Sequence, residues 1–251
     1  MLNKIGDDTG VSKADLFISD LHLCQDRPHI TQAFLAFLKS TATQARALYI
    51  LGDLFEYWAG DDDMASHQPI VEGLRQLADG GVKLYLMHGN RDFLIGHEFC
   101  TAAGLTLLAD PCLINLHGQT TLISHGDALC SDDVDYQAFR LQVREKKWQN
   151  DFLQQPLATR KAQITSMRAR SEQEKSHKAS AIMDVNPLAL KQLLQEQHYP
   201  KLFIHGHTHR PQRQELSLDG HAITRWVLGD WYEQGGYLSC DALGCKSHTL
   251  K

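Results

Sequence analysis

The hydrophobic positions of the chain fall into short runs, and polar residues of the kind that bind metal ions follow five of these runs. Runs of this length, rich in Leu, Ile, Phe and Tyr, predict fully buried strands. In chain order the runs are LFIS, ALYIL, VKLYLM, TTLIS and KLFI, and the polar segments that follow are DLH at 20–22, GD at 52–53, GNRD at 89–92, HGD at 125–127 and HGHTH at 205–209. Because ligands of α/β proteins gather beyond the carboxyl ends of the strands, we expect these five segments to meet at one edge of the sheet.

Amphipathic segments separate the first three runs, with apolar residues at helical spacing over 30–38 and again over 70–77. This alternation of strand and helix predicts a largely parallel central sheet. Nearer the C-terminus, Asn186-Pro187 predicts a helix start, and Asp219-Gly220 predicts a hairpin followed by a strand over 223–231. Two β-regions with flanking helices predict a layered α/β sandwich.

Between Asp127 and Met183 the spacing is helical and no strand is predicted. Large apolar residues lie there among many Lys and Arg, and five of them are candidates to line a slot: Trp148, Phe152, Leu153, Ile164 and Met167. We predict a helical insertion over 127–183 that covers the site as a lid, within a single domain of residues 14–251. The apolar residues either line a slot for an apolar substrate or pack a small core of the insertion. Residues 1–13 form an N-terminal extension without an assigned role.

Composition predicts a globular protein, with 43% hydrophobic and 22% charged residues in a chain of 251. The first residues contain no apolar stretch typical of a secretory signal, and no uncharged apolar stretch is long enough to cross a bilayer. The six cysteines form no C-x-x-C pair, so neither a zinc knuckle nor a redox motif is indicated. A chain of this length without an export signal favours reduced thiols. We therefore expect a cytoplasmic protein.

The net charge of −5 argues against general nucleic-acid binding, but the charge is unevenly distributed. Between Tyr136 and Lys178 there are ten Lys and Arg against four Asp and Glu. This basic segment either faces an anionic partner, such as an anionic lipid surface, or is an ordinary solvated helix face. The acidic run at 61–63 is expected to be solvated as well.

Seven side chains of the polar segments are candidate metal ligands: Asp20, His22, Asp53, Asn90, His125, His207 and His209. Asp20 and His22 are two apart, so on an extended backbone both point to the same side. A mixed Asp, Asn and His set suits Mn²⁺ or Fe, and less specifically Zn²⁺ or Co²⁺. Seven ligands are too many for one ion and suit two, with the Asp53 carboxylate shared between them.

The ordered motifs D-x-H, G-D, G-N-R-D, H-G-D and G-H-T-H resemble those of the calcineurin-like metallophosphoesterase superfamily, from about Asp15 to Leu228. The resemblance implies two mixed β-sheets flanked by helices. It also implies two sets of metal ligands. One ion is bound by Asp20, His22, Asp53 and His209, and the other by Asp53, Asn90, His125 and His207.

Arg91 stands where most of the superfamily has a histidine that protonates the leaving group. Arginine does not release its proton, but it binds phosphate oxygens bidentately. The substitution therefore favours a leaving group that needs no proton, such as a phosphate monoester released from a diphosphate. Longer strings, including ALYILGDLFEYWAGDDD, HGNRDFLIG, HGDALCSDDVDYQAFR and IHGHTHRP, resemble the UDP-2,3-diacylglucosamine diphosphatase family of lipid A biosynthesis.

That resemblance implies a two-Mn²⁺ hydrolase that attacks the α-phosphorus of UDP-2,3-diacylglucosamine, giving UMP and 2,3-diacylglucosamine 1-phosphate. It implies a peripheral position on the cytoplasmic face of the bacterial inner membrane. The implied catalytic residues are Asp53, Asn90, Arg91 and His207. The implied substrate contacts are Asn90, Arg91, Asp133, Ser171, Lys175, Lys178 and His207, although the family pattern has Asn at position 175.

Two alternatives remain open from the sequence. One is another metallophosphoesterase, such as a nucleotide phosphodiesterase or a protein phosphatase, for which Arg91 and the basic insertion would be unexpected. The other is a non-catalytic scaffold of the same fold, although such a protein would typically lack some of the seven ligands. Asp92, Asp127 and His205 adjoin the ligands and either orient them or make local turn hydrogen bonds.

Overall fold

The computed structural model describes residues 13–177 and 184–250, except for the side chains of residues 172 and 174–177. The strands in these ranges are β1 (Asp15–Ile18), β2 (Ala47–Leu51), β3 (Lys83–Met87), β4 (Leu105–Leu108), β5 (Cys112–Leu116), β6 (Gln119–Ser124), β7 (Leu202–His205), β8 (Gln212–Leu218), β9 (His221–Val227), β10 (Gly236–Asp241) and β11 (Gly244–Thr249). The α-helices are α1 (Pro28–Lys39), α2 (Gln68–Asp79), α3 (His97–Ala103), α4 (Val134–Arg144), α5 (Lys146–Leu153), α6 (Leu157–His177) and α7 (Pro187–Glu196).

The strands form two mixed sheets that pack face to face. The first has the order β11-β10-β1-β2-β3-β4 and the second the order β5-β6-β7-β9-β8. Apolar residues of both sheets, such as Phe17, Tyr49 and Ile204, fill the space between them. Helices α1, α2 and α3 cover the outer face of the first sheet, and α7 covers that of the second. The predicted layered α/β sandwich of two mixed sheets flanked by helices is confirmed.

The candidate ligand segments come from both sheets, which corrects the prediction of a single sheet edge. Strands β1, β2 and β3 are parallel neighbours in the first sheet, and β6 and β7 are parallel neighbours in the second. The packing of the two sheets brings the carboxyl ends of all five strands to the same end of the sandwich. The site therefore spans the junction of the sheets.

The C-terminal half confirms two local predictions and corrects two others. The Asn186 side chain accepts hydrogen bonds from the first N–H groups of α7, and Asp219 and Gly220 connect β8 to β9. The strand predicted over 223–231 ends earlier, at Val227, and the following residues form a loop. The expectation of reduced thiols is wrong for Cys240 and Cys245, which form a disulfide because they face each other across β10 and β11.

Asp62 of the acidic run at 61–63 is exposed as expected, but Asp61 is half-buried and Asp63 is buried, and all three carboxylates hold other elements in place. Asp61 accepts hydrogen bonds from the backbone N–H of Gly96, just before α3, at 2.9 Å, and from that of Phe99, in the first turn of α3, at 3.0 Å. Asp62 forms an ion pair with Arg160 of α6, and Asp63 forms one with Lys161 at 2.7 Å. The run therefore attaches the long basic helix α6 to the sandwich.

We expect Arg160→Ala to lower the free energy of unfolding by about 1–3 kcal/mol. The buried guanidinium donates to Asp62 and to the carbonyls of Ala59 and Gln155, and all of these bonds would be lost. Urea unfolding followed by circular dichroism measures the change. Lys147→Ala is the control, because Lys147 and its partner Asp151 are exposed and their pair contributes little. Equal losses in both variants would contradict an anchoring role for Arg160.

Candidate metal centre

Five of the seven candidate ligands have a left-handed backbone, which few residues other than glycine adopt. Their φ angles are 55° for Asp20, 50° for His22, 52° for Asp53, 68° for His207 and 55° for His209. Each such residue costs roughly 1–3 kcal/mol, and conformations of this kind cluster at functional sites. Asp20 and His22 thus lie together because the chain turns after β1, not because they alternate on an extended strand as predicted.

The loops bring the seven residues into two adjoining groups. In the first ligand group (Asp20, His22 and His209), the Nε2 atoms of the two imidazoles are 3.2 Å apart. The Oδ1 atom of Asp20 is 3.9 Å from Nε2 of His22 and 3.3 Å from Nε2 of His209. All three side chains therefore point at one small volume.

The second ligand group consists of Asp53, Asn90, His125 and His207. Oδ1 of Asn90 lies 3.0 Å from Nε2 of His125 and 3.0 Å from Nδ1 of His207. Oδ2 of Asp53 is 3.9 Å from Nε2 of His125 and 3.8 Å from Nδ1 of His22. The Asp53 carboxylate thus lies between the two groups, at the position that a shared ligand requires.

Two buried atoms of the first ligand group, Oδ1 of Asp20 and Nδ1 of His22, have no hydrogen-bond partner among the described residues. Buried polar atoms are nearly always paired, so these two point to a ligand. Asp20, His22 and His209 offer donor atoms within 4.8 Å of one another, as do Asp20, Asp53 and His125. Carboxylates combined with imidazoles suit divalent transition metals. The residues therefore fit divalent cations.

Burial and neighbouring charges set the protonation of the site. Burial raises the pKa of Asp53 to about 7, although His125 opposes it. Burial alone would lower the pKa of His125, but the charges of Asp53 and Asp20 outweigh it and raise this pKa to about 9. Burial and the charge of His125 lower the pKa of His207 to about 4. At neutral pH the His207 imidazole is thus neutral, the His125 imidazole is protonated and the Asp53 carboxyl is partly protonated.

Hydrogen bonds on the far side of the imidazoles fix their orientation. Nδ1 of His125 donates to the carbonyl of Leu51 over 2.9 Å, which turns Nε2 toward Asn90. Nδ1 of His209 lies 3.3 Å from the Asp230 carboxylate. Asp230 escaped the sequence analysis because its segment was assigned to a strand. The Gly229-Asp230 pair after an apolar run is the motif that also identified Asp53, so the signal was present.

Asp92, Asp127 and His205 hold local structure. The Asp92 carboxylate accepts from the backbone N–H groups at 54, 55 and 89, which ties the loop after β2 to the loop after β3. Asp127 accepts from the Tyr136 hydroxyl at 2.6 Å and from Arg140 at 2.8 Å, both on α4. Nε2 of His205 accepts from the buried Arg225. Apart from the bond to residue 89, these bonds reach residues 9 to 38 positions away, so they join loops to other loops and helices and are not the local turn hydrogen bonds of the second alternative.

Arg91 lies beside the ligands and is held at two points. Its backbone N–H donates to Oδ1 of Asp53 over 2.8 Å, and Nη1 of its side chain donates to Oε1 of Glu56 over 2.7 Å. Glu56 also accepts from Arg27 and Arg168. The sequence analysis missed Glu56, although a carboxylate inside the apolar string DLFEYW, three residues after Asp53, is the kind of anomaly that marks a buried charge.

The structure describes the side chains of two of the predicted substrate contacts that are not candidate ligands or Arg91, namely Asp133 and Ser171. Asp133 caps the start of α4 by accepting from the backbone N–H of Tyr136 at 3.2 Å. Ser171 is exposed on α6. The Lys175 side chain and all of Lys178 lie outside the described residues. The ring of Tyr136 stacks against His207 at 6.2 Å, which connects α4 to the ligands.

The apolar residues proposed to line a slot are mostly packed. Trp148 stacks on Phe152 with ring centroids 4.9 Å apart, and Phe152 is buried. Ile164 and Met167 are partly buried against the same core as α1, α2 and α3. Leu153 alone of the five is 39% exposed. Trp148, Phe152, Ile164 and Met167 thus belong to the main core of the protein. They form neither an open slot nor a separate core of the insertion.

The described helices include none with the length and apolar character that crossing a membrane requires.

Comparison with known proteins agrees with the geometry. The model of the calcineurin-like phosphoesterase family matches residues 16–211. A UDP-2,3-diacylglucosamine hydrolase of Aromatoleum aromaticum is 51% identical over 230 residues, covering 91% of this chain and 94% of that protein. The hydrolase of Aeromonas hydrophila is 50% identical, and the match covers 90% of this chain and 93% of that protein. The hydrolase of Cellvibrio japonicus is 48% identical, and the match covers 91% of this chain and 95% of that protein.

The family and the donor set together imply a divalent metal ion. The matched segment contains all seven candidate ligands, and the identity to the three hydrolases extends over nearly the whole chain. The chain therefore belongs to the calcineurin-like phosphoesterase family and, within it, to the group of the UDP-2,3-diacylglucosamine hydrolases.

Proposed function

We propose that this protein hydrolyses the pyrophosphate bond of UDP-2,3-diacylglucosamine, releasing UMP and 2,3-diacylglucosamine 1-phosphate for lipid A biosynthesis. The proposal depends on one observation: about half of the residues of this chain are identical to those of UDP-2,3-diacylglucosamine hydrolases, along nearly the whole length of those proteins. The convergence of the two ligand groups beside an arginine supports it chemically.

We propose two ions per chain, with Mn²⁺ as the metal that the mixed donor set favours. Asp20, His22 and His209 would hold one ion, Asn90, His125 and His207 the other, and Asp53 both. Cations held by these residues would supply neutralisation of phosphoryl charge and a lowered pKa of water, which is the chemistry that attack on the α-phosphorus needs. The position of Asp53 Oδ2, 3.8 Å from His22 and 3.9 Å from His125, supports the shared role.

The residues of the chain supply binding and orientation. The Arg91 guanidinium, which binds Glu56 and whose charge acts on Asp53, offers a planar set of N–H donors suited to the departing phosphate, which leaves without needing a proton. Asn90 and His207, together with Arg91, are the proposed contacts to the diphosphate. Asp133, Ser171, Lys175 and Lys178 are proposed to contact the remainder of the substrate. These four stay predictions from family resemblance.

We propose that the protein acts at the cytoplasmic face of the inner membrane as a peripheral protein, because a substrate with two acyl chains resides in a bilayer. Part of the predicted basic face is engaged inside the molecule. Arg140 binds Asp127, Arg160 and Lys161 bind the acidic run, and Arg168 binds Glu56. Lys146 and Arg170 remain among the exposed cations available to anionic lipid.

Incubation of the purified protein with UDP-2,3-diacylglucosamine and Mn²⁺, scored by UMP release, tests the function. We expect turnover with Mn²⁺ and none with excess chelator. A nucleotide phosphodiesterase or a protein phosphatase would instead prefer bis-p-nitrophenyl phosphate or a phosphopeptide in parallel assays. A non-catalytic scaffold would act on none of these substrates. Either result would overturn the proposal.

Binding of Mn²⁺ to the metal-free protein is expected to release protons. At about pH 7.5 most His125 side chains and part of the Asp53 carboxyls are protonated, because their pKa values are raised to about 9 and about 7. Both must lose the proton to bind a cation, so affinity should rise with pH up to about 9. Calorimetry in buffers of different ionisation enthalpy counts the protons. Heat independent of the buffer would contradict the raised pKa values.

A further inference from the structure

One buried carboxylate gathers three arginines beside the candidate metal centre. Glu56, which is 6% exposed, accepts hydrogen bonds from Arg27, from Arg91 at 2.7 Å and from Arg168 at 2.6 Å. The three arginines come from distant parts of the chain: the start of α1, the loop after β3, and helix α6. Glu56 is therefore the common point of contact for the sandwich, the ligand loop and the insertion.

The cluster carries more positive charge than Glu56 neutralises, because a guanidinium remains protonated in proteins. Three guanidiniums and one carboxylate leave a surplus of positive charge directly against the ligands. Oε2 of Glu56 is 4.0 Å from Nδ1 of His22. Arg27 lies 4.4 Å over the ring of Tyr232, which stacks on His22 at 5.1 Å. The arginine cluster and the first ligand group are thus in direct contact.

Two donors in this cluster are buried without a hydrogen-bond partner among the described residues: Nη1 of Arg27 and Nε of Arg168. Buried N–H groups of charged side chains are costly to leave unpaired, so their presence beside a functional site calls for an acceptor. Both belong to cations, so the acceptor that fits them is an oxyanion. This observation is independent of the metal ligands and points to the same substrate class.

We infer that Glu56 is a positioning residue, which holds Arg27, Arg91 and Arg168 together as one oxyanion-binding cluster for the phosphate that leaves with the lipid-linked sugar. The inference rests on the proposed function and adds three residues to it. Glu56 opposes the mutual repulsion of the guanidiniums and keeps Arg91 in place against Asp53. Because Arg168 belongs to α6, the same carboxylate couples the insertion to the reacting phosphate.

A double-mutant cycle between Glu56→Gln and Arg91→Ala tests the inference, with UMP release as the assay. Glutamine keeps the shape of Glu56 but loses its charge. We expect Glu56→Gln to lower kcat about 10- to 100-fold, with a smaller change in KM. In the Arg91→Ala background the same substitution should cost less than about 3-fold, because the cluster that Glu56 holds together has then already lost Arg91. Multiplicative effects would overturn the inference, since a purely structural role predicts them.

Asp62→Asn is the matched control, because it breaks another ion pair between α6 and the sandwich without touching Arg91. We expect an unchanged kcat in this variant and a multiplicative combination with Arg91→Ala. Thermal melting of every variant separates loss of fold from loss of positioning. If Glu56→Gln does not fold, Arg168→Gln replaces it in the cycle, since its side chain is 39% exposed and leaves Glu56 two partners. Failure of the wild-type protein to release UMP would instead contradict the proposed function.

Discussion

Asp53→Asn is expected to reduce UMP release by about 1,000-fold or more while the protein remains folded. The side chain lies between the two ligand groups, so its loss affects both proposed ions. Asparagine keeps the acceptor for the Arg91 N–H but lacks the second anionic oxygen that a shared ligand needs. Steady-state assays at saturating Mn²⁺, with a melting curve for each protein, measure both effects.

The direction in which this substitution changes the stability of the metal-free protein follows from the pKa of Asp53. The pKa of Asp53 is raised to about 7 by burial, so the native protein binds this proton more tightly than the unfolded chain does. Ionised Asp53 therefore costs stability, and the cost grows as pH rises through about 7. The metal-free Asp53→Asn protein should melt no lower than the wild type at about pH 8. The exposed Asp151→Asn is the control, expected to change neither quantity. Substantial turnover by the Asp53 variant would end the dinuclear hypothesis.

Complete removal of metal is expected to lower turnover by about 1,000-fold or more, and added Mn²⁺ should restore it. The ligand side chains would then retain the unpaired buried atoms of Asp20 and His22, and the neighbouring arginines, although they bind phosphate oxygens, would not replace the cations in lowering the pKa of water. Chelation, exhaustive dialysis and metal analysis provide the measurement.

Metal counts in single variants test the number of ions. His209→Ala affects the first ligand group alone, and Asn90→Ala affects the second alone. Each variant should keep about one ion per chain, against about two in the wild type. Full activity in a preparation shown to contain no metal would contradict the mechanism, and one ion in the wild type would contradict the count.

The sequence identified all seven candidate ligands because each follows a strand-like apolar run, and the parallel strands do bring these runs to one end of the molecule. It assigned the runs to one sheet because nothing local distinguishes strands of different sheets. It also placed Asp20 and His22 on an extended backbone. Their left-handed φ angles depend on the loops from β2 and β7 that pack against them, which no local pattern encodes.

All but one of the omissions depend on contacts between residues far apart in the chain. Glu56 and Arg168 are 112 positions apart, and Asp62 and Arg160 are 98 apart. Spacing predicts neither contact, so the acidic run at 61–63 was assigned to solvent, and the basic segment to an anionic partner or a solvated helix face. Asp230 was missed for a local reason, because a strand was predicted to continue past Val227.

The left-handed ligands limit how the centre can be redesigned. Aspartate, asparagine and histidine tolerate that conformation better than other side chains with a Cβ atom. A β-branched residue at position 20, 22, 53, 207 or 209 would strain the backbone and destabilise the fold even without a bound metal. Attempts to change the metal preference of this enzyme should therefore vary Asn90 and His125, which are not among the left-handed residues.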